Sequence, residues 1–414
     1  MKARITLVKP PESSRLNFGT FSLAVLGAYV KDIAELSIVD ATDISLGETL
    51  DRIKREKPKV LGVTTMSLES IGPATSVLRA MRESGFRGMM VAGGHGATML
   101  PRKILESGAD AVVYGEGEET FRDLLRSGIK EDLKGLFLLR EGNLIQTPPR
   151  PHLKMDELPV PLRELIGQPA SGVAMLETSR GCPHRCSFCE TTRFHGSRWR
   201  ARSPQKVVRD IRDLVRRGAA VIQIVDDNFL ADPRRVLKIC ELLLKGPLPL
   251  LFIFSARSDD LIRNAEVIPH LARAHFLRVN VGVETVDETL AARIGKRISR
   301  RQHQKAFADM REAGIYIVAS FIVGLPGETE SSRRKSFAAA LEFTDSARFV
   351  PFQPFPGIPM GNGSGEPEPR FVKMAEKLNR DFENHPAVQK RKRRLAREAT
   401  IHGLLARASL RAGA

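Results

Sequence analysis

Two stretches of this chain set short apolar runs against helical segments in strict alternation, and this limits the possible folds more than any other feature. In the first stretch the β-type runs are 5–8, 36–39, 60–65, 89–92 and 111–114, with helical periodicity at 19–30, 46–55, 71–84, 100–106 and 120–125. In the second the β-type runs are 173–178, 221–225, 250–255, 277–283, 316–323 and 347–350. Strands alternating with helices of this length form βαβ units, and these build parallel sheets with ligands beyond the strand carboxyl ends. The expected fold class is α/β: a doubly wound Rossmann-like domain over 1–127, then a partial (β/α)6 barrel over 171–352. A closed eight-fold barrel needs about 250 residues, more than the second stretch offers. Six prolines from Pro148 to Pro169 mark 128–170 as a linker, with a hairpin possible at 136–140 and 144–147 around Gly142-Asn143. A Pro/Gly-rich turn and a basic helical region are expected over 353–414.

The 414 residues are 42% hydrophobic and 27% charged, an ordinary globular balance. The longest apolar runs fall short of the ~18 residues of a membrane span. The start MKARITLVKPPESS has no signal-peptide h-region, so a cytoplasmic protein is expected. The net charge of +17 is concentrated at the end, where twelve Lys/Arg face four Asp/Glu over 370–414. The densest run is Lys390-Arg391-Lys392-Arg393-Arg394. Such a patch suits an acidic protein partner or an anionic substrate. One Trp and three Tyr leave few rings for stacking bases, so nucleic acid ranks low.

Four cysteines are too few for a disulfide framework, and three of them fall within eight positions: Cys182, Cys186 and Cys189. Their spacing, C-x3-C-x2-C, follows directly on an expected strand. Three thiolates on one short loop can converge on a single inorganic centre, and soft sulfur favours iron–sulfur or zinc. Structural zinc sites usually add a second ligand pair, whereas Cys240 lies far downstream in an expected helix. Three ligands would leave one iron of a [4Fe–4S] cluster open.

This motif, with Phe188 before its third cysteine at the end of the first barrel strand, resembles that of the radical S-adenosylmethionine superfamily. The resemblance implies a [4Fe–4S] cluster on Cys182, Cys186 and Cys189 that passes an electron to S-adenosylmethionine. The released 5′-deoxyadenosyl radical then abstracts hydrogen from an unactivated carbon. Later strand ends resemble the family in order: Asp226-Asp227-Asn228, Ser255-Ala256-Arg257, Gly282-Val283-Glu284-Thr285, Gly324-Leu325-Pro326-Gly327-Glu328-Thr329 and Phe355-Pro356-Gly357-Ile358-Pro359. They imply S-adenosylmethionine contacts at Phe188, Ser255, Arg257, Glu284, Gly324 and Pro326. A carboxylate at a strand mouth accepts ribose hydroxyls, and an arginine pairs with the methionyl carboxylate.

The first domain offers hydroxyls at Thr64, Thr65 and Ser67 and glycine turns at Gly93-Gly94-His95 and Gly115-Glu116-Gly117. Glycines let backbone N–H groups approach a phosphate or a large planar ligand. No G-x-G-x-x-G follows a strand, so a dinucleotide site is not indicated. In this order the turns resemble the cobalamin-binding domain of cobalamin-dependent radical S-adenosylmethionine enzymes, and the resemblance covers residues 1–360. It implies those nine residues around a cobalamin. The D-x-H-x-x-G motif that supplies a cobalt ligand elsewhere is absent, so His95 is expected at the corrin periphery or phosphate.

Together the resemblances imply a C-methyltransferase using methylcobalamin and S-adenosylmethionine, fed electrons by a ferredoxin or flavodoxin. The alternative is an oxidative cyclase or a methylase acting on a tetrapyrrole, lipid or other small molecule. Methylthiotransferases carry three further cysteines in the N-terminal domain, and this one has none. A non-enzymatic iron–sulfur or corrinoid carrier would leave the turns at Glu284 and 324–329 unexplained. The short region after Pro359 and its basic charge point to a peptide or protein substrate. In size and layout alone the chain is similar to the glutamine C-methyltransferases that modify methyl-coenzyme M reductase.

Overall fold

Burial on both faces decides where the strands of the first stretch lie. The computed structural model describes residues 2–12, 18–67, 69–166, 172–361 and 365–397. It divides into two units, Met1–Ala170 and Ser171–Ala414. The first runs β1 (Ala3–Lys9), α1 (Phe18–Val30), β2 (Ala34–Asp40), α2 (Leu46–Glu56), β3 (Val60–Thr64), α3 (Ile71–Glu83), β4 (Met89–Gly93), α4 (His95–Met99), α5 (Pro101–Leu105), β5 (Ala111–Val113) and α6 (Glu118–Ser127). Ile5 and Leu7 of β1 pack on one side with Leu23 and Phe121, while Val8 packs on the other with Ile53, Leu61 and Val77. A strand buried on both faces must read as a continuous apolar run, as this one does. The sheet continues into a hairpin, β6 (Leu136–Arg140) and β7 (Asn143–Gln146), and its order is β2-β1-β3-β4-β5-β6-β7. The chain thus reverses direction across the sheet between β1 and β3, the place where doubly wound folds open a crevice.

Two features depart from the sequence expectation. The hairpin expected inside the linker does form, and it joins the first sheet by antiparallel pairing of β6 with β5. Leu136, Phe137 and Leu138 bury there, so the hairpin covers an edge that β5 would otherwise leave open. Directly after Gly94 the sequence suggests only a glycine turn, yet residues 95–99 form α4, because the N–H groups of Gly96 and Ala97 bond to the Thr65 carbonyl and hydroxyl.

The second unit follows one parallel path. Its elements are β8 (Val173–Leu176), β9 (Ser179–Arg180), α7 (Thr191–His195), β10 (Arg200–Ala201), α8 (Pro204–Arg216), β11 (Val221–Ile224), α9 (Pro233–Leu244), β12 (Leu251–Arg257), α10 (Ser258–Arg263), α11 (Ile268–Arg273), β13 (Phe276–Glu284), α12 (Glu288–Arg293), α13 (Arg300–Glu312), β14 (Tyr316–Val323), α14 (Glu330–Phe343), β15 (Ser346–Pro351), α15 (Pro369–Asn384) and α16 (Pro386–Arg397). The six main strands are ordered β15-β14-β13-β12-β11-β8, all neighbours parallel, as in the expected partial barrel. Phe252, Phe254, Val279, Val281, Ala319 and Phe321 share one core with the helices. Side chains alternate along a strand, so Ser255, Arg278, Asn280 and Ser320 face the other way, and all four are only partly buried. That second face is the inner wall of the partial barrel, where Ile253, Tyr316 and Val318 are buried beside them.

The basic run is less free than its sequence suggests. Lys392 is buried and bonds to Glu383, and Arg391 donates to the Leu341 carbonyl. Lys390 and Arg393 are exposed. Among the described residues no helix is long and apolar enough to cross a membrane.

Candidate functional site

In the second unit the cysteine loop leaves β8 at Glu177 and is held by carboxylates from later strand ends. Gly181 opens it with φ +80, and a Cβ there would lie 2.1 Å from the Arg198 carbonyl, so only glycine fits. Asp226 accepts from the Thr178 N–H at 2.7 Å and from the Thr178 and Ser179 hydroxyls at 2.5 Å each. Burial pushes the Asp226 carboxyl above its ordinary pKa, against those three donors, which pull it down. Asp227 accepts from the Gly181 N–H at 3.0 Å and the Thr191 hydroxyl at 3.2 Å, tying the two ends of the loop together. His184 Nε2 lies 3.2 Å from Asp260, which also accepts from the Asn228 amide at 2.7 Å. On the far side the Ser187 N–H donates to Ile294 and its hydroxyl to Arg293.

Within this frame Cys182 and Cys189 are half-buried and Cys186 is buried. Loss of water pushes the Cys182 thiol up to about 11 and raises Cys189 as well. A metal must therefore displace their protons as it binds. Arg257, at the end of β12, donates from Nη1 to Cys186 Sγ at 2.8 Å and holds Asp259 with Nε and Nη2. Three sulfurs on one pinned loop, with a cation beside one of them, fit a cluster with thiolate ligands. Cys240 lies apart in the helix-packed core of α9, where burial pushes its thiol up to about 12. The ligand atoms of His184, Asp259 and Asp260 lie within 4.8 Å of one another. Arg257, Arg263 and Asn228 answer those carboxylates, so the group acts as an anchor for the loop and not as a second metal site.

The other expected residues gather at the neighbouring strand ends. Glu284 closes β13 with φ +66, a left-handed conformation that is uncommon outside glycine and concentrates at functional sites. Its carboxylate is buried against Lys296 Nζ at 2.8 Å, and Lys296 also donates to the Gly282 carbonyl at 2.7 Å. A Cβ on Gly282 would lie 2.3 Å from Glu284 Oε1 and 3.0 Å from Lys296 Nζ, so any side chain there would displace this ion pair. The Lys296 ammonium also sits 5.9 Å from the centre of the Phe188 ring, linking this turn to the cysteine loop. Gly324, with φ +87, ends β14, and its N–H donates to Glu328 at 2.8 Å beside Pro326. Thr329 caps α14, so part of the 324–329 motif starts a helix. Ser255 stands on the inner wall below Arg257. Sequence reasoning missed the parts played by Lys296, His184, Asp259 and Asp260. No spacing marks them, and the partners of three of them are 12 to 76 residues away.

In the first unit the expected turns sit at the carboxyl ends of adjacent strands β3, β4 and β5. Thr65 is fully buried. Its hydroxyl donates to the Gly93 carbonyl at 2.9 Å and accepts from Ala97, which locks β3 to β4 and α4. Thr64 is also buried, and Ser67 exchanges hydrogen bonds with Ser70. Gly94 has φ +100, and a Cβ there would strike the Thr65 carbonyl at 2.7 Å, so His95 enters α4 from a turn only glycine makes. Gly115 has φ +68, and no atom lies within 4 Å of the point a Cβ would occupy, which leaves an open surface above β5. Glu116 accepts from the Leu153 N–H at 2.8 Å, and a Cβ on Gly117 would touch Val113 at 3.2 Å. The open backbone at Gly115, beside the strand ends of β3 and β4, fits the edge of a broad planar ligand.

Comparison with known proteins matches both units. Residues 176–340 match the radical SAM superfamily and residues 13–125 the B12 binding domain. An uncharacterized methyltransferase of Pyrococcus horikoshii is 30% identical over 86% of this chain and 81% of its own length. An anaerobic magnesium-protoporphyrin IX monomethyl ester cyclase of Rubrivivax gelatinosus is 27% identical over 81% of this chain, which spans 64% of that protein. Among solved structures, the radical S-adenosylmethionine methyltransferase TsrM of Kitasatospora setae, with tryptophan and a SAM analog bound, superposes with a TM-score of 0.75. It is 20% identical over 87% of this chain and 75% of its own.

Proposed function

The chain belongs to the radical S-adenosylmethionine superfamily, in the group that carries a B12-binding domain, and from that premise we propose that it transfers a methyl group to an unactivated carbon of a peptide or protein. The observation that carries methyl transfer is one chain holding both a pinned three-cysteine loop and a glycine-edged B12-binding domain. When bound, the cluster, S-adenosylmethionine and cobalamin supply a hydrogen-abstracting radical and a transferable methyl group.

The chain's own residues would divide the work. Cys182, Cys186 and Cys189 hold the cluster, and Arg257 donates to the Cys186 sulfur. Asp226, Asp227 and Asp260 keep the loop from moving as iron binds. Phe188 offers a ring face to the adenine, and Glu284 accepts hydroxyls of the adenosyl group from a carboxylate that Lys296 holds in place. The strand ends at Gly94 and Gly115 bring backbone against the corrin. The peptide reading is supported by the exposed Lys390 and Arg393. The inward engagement of Lys392 and Arg391 leaves the rest of that run to meet a partner.

The test is incubation of reconstituted protein with labelled S-adenosylmethionine, a reductant and candidate peptides or small acids. Methyl transfer should give 5′-deoxyadenosine and S-adenosylhomocysteine in equal amounts per labelled product. Deoxyadenosine without S-adenosylhomocysteine would replace methyl transfer with the oxidative alternative.

A further inference from the structure

The cysteine loop is flanked by exposed arginines that no carboxylate pairs with among the described residues. Arg185 lies on the loop itself, and residues 293–295 pack directly against it. The Ser187 N–H donates to the Ile294 carbonyl and the Ser187 hydroxyl to the Arg293 carbonyl, each at 3.2 Å. A Cβ on Gly295 would lie 3.3 Å from the Arg185 carbonyl and 3.6 Å from Cys186 Cα. Lys296 turns inward to Glu284, while Arg293 and Arg297 on either side of it are exposed. No Asp or Glu occurs from Ala291 to Arg301. The turn after β15 closes on the same loop. Its Met360 N–H donates to the Ser187 carbonyl at 3.1 Å, and its exposed Gly357 lies so close over the Arg193 guanidinium that a Cβ would strike it. Arg185, Arg193, Arg293 and Arg297 are all exposed, and no ion pair reaches any of them among the described residues.

A surface of one charge sign draws a partner of the opposite sign and speeds its arrival. These arginines border a loop on which Cys182, Ser187, Phe188 and Cys189 are all partly exposed, so a partner seated on them comes against the cluster ligands. Electron-transfer proteins meet over small interfaces and are steered there by complementary charge. We propose that Arg185, Arg193, Arg293 and Arg297, with the turn at 357–360, form the docking surface for a small acidic one-electron carrier protein. This deepens the radical reading and rests on it. Reductive cleavage of S-adenosylmethionine takes up one electron, which comes from outside the chain. The reduced carrier gives that electron to the cluster and leaves oxidised by one electron, with no bond made or broken at the surface. Gly357 and Pro359 are exposed between the arginines and the loop, which adds an uncharged contact where the two proteins meet.

The test uses the full-length chain with its cluster reconstituted and two reductants: flavodoxin hydroquinone, an acidic protein, and reduced methyl viologen, a small cation. Cluster reduction is followed by stopped-flow absorbance. With flavodoxin the wild type should react more slowly as salt is raised, because screening weakens the attraction. At low ionic strength the combined variant Arg185→Gln, Arg293→Gln, Arg297→Gln should react at least tenfold more slowly, with a flatter salt dependence. Methyl viologen should reduce that variant no more slowly than wild type, and the iron content of the two should match. Arg185→Gln with Arg297→Gln keeps the test valid if Arg293→Gln disturbs the turn at Gly327, on which the Arg293 guanidinium lies. Lys390→Gln, exposed on α16, should react with flavodoxin as wild type does. Equal flavodoxin rates for wild type and the combined variant, an equal fall in the Lys390 control, or as large a fall with methyl viologen would overturn the docking surface. A wild type that takes up no cluster would instead sink the radical reading on which the surface rests.

Discussion

The two sets of strand mouths solve the same problem by opposite means. In the second unit the site is made of charged side chains, each fixed by another: Asp226 and Asp227 by the loop they clamp, Glu284 by Lys296, Arg257 by Asp259. In the first unit the proposed site leaves a side chain out at Gly115, over strands locked by Thr65, while Gly94 is bare because the Thr65 carbonyl fills the place of its Cβ. A site of paired charges is specific but fragile, because removing one partner strands the other in low dielectric. A site of bare backbone tolerates loss of neighbours and fails only when something is added.

The sharpest break of this comparison is at the cysteines. Replacing Cys182, Cys186 and Cys189 together by Ala should reduce bound iron and sulfide to background while leaving corrinoid retention on gel filtration unchanged. Cys240→Ala should keep full cluster content. Loss of the cluster there would show that the ligand set is misassigned.

Lys296→Met comes next. It should lower stability by about 3–5 kcal/mol, because Glu284 would remain buried without its cation. Glu284→Gln combined with Lys296→Met should recover most of that loss in chemical denaturation. If the double variant is no better than the single, the pair is not what the lysine stabilises.

An acid-stability series probes the packing behind the loop. His303 is buried on α13, and burial, then the Lys296 charge, hold its pKa down to about 4 against 6.5 in the unfolded chain. A histidine depressed in the folded state binds its proton more readily once unfolded. Its contribution is therefore complete above about pH 6.5 and is lost as pH falls toward 4. Between pH 7 and pH 5 the wild type should lose about 2 kcal/mol more than His303→Phe. Equal losses would mean that His303 is not held neutral.

The smallest effect on stability separates the two kinds of glycine. Gly115→Ala should cost about 1–2 kcal/mol, for the left-handed backbone alone, since no atom is within reach of the new methyl. It should nevertheless weaken corrinoid retention, because the added carbon fills the open surface. Gly181→Ala meets the Arg198 carbonyl and should disturb the cysteine loop itself, seen as reduced cluster content. Equal corrinoid retention by Gly115→Ala and wild type would remove Gly115 from the cobalamin surface.

Much of this molecule is legible in its sequence, because the relevant signals are local. Apolar runs such as 60–65 and 316–323 become strands close to their expected places, since burial on both faces demands continuous hydrophobicity. The cysteine spacing and the positive-φ glycines at 94, 115, 181 and 324 are likewise set by a few consecutive residues. What the tertiary structure alone decides are the pairings between distant strands. In sequence Asp226 and Asp227 are only an acidic turn, and the parallel register of β8 with β11 makes them clamps on a loop 46 to 48 residues earlier. Thr65 offers a hydroxyl in sequence, and neighbouring β4 takes it up. Part of the basic run turns inward once α16 packs on the barrel. Alternation along a strand fixes which side a residue takes, while strand order fixes which distant residues meet there.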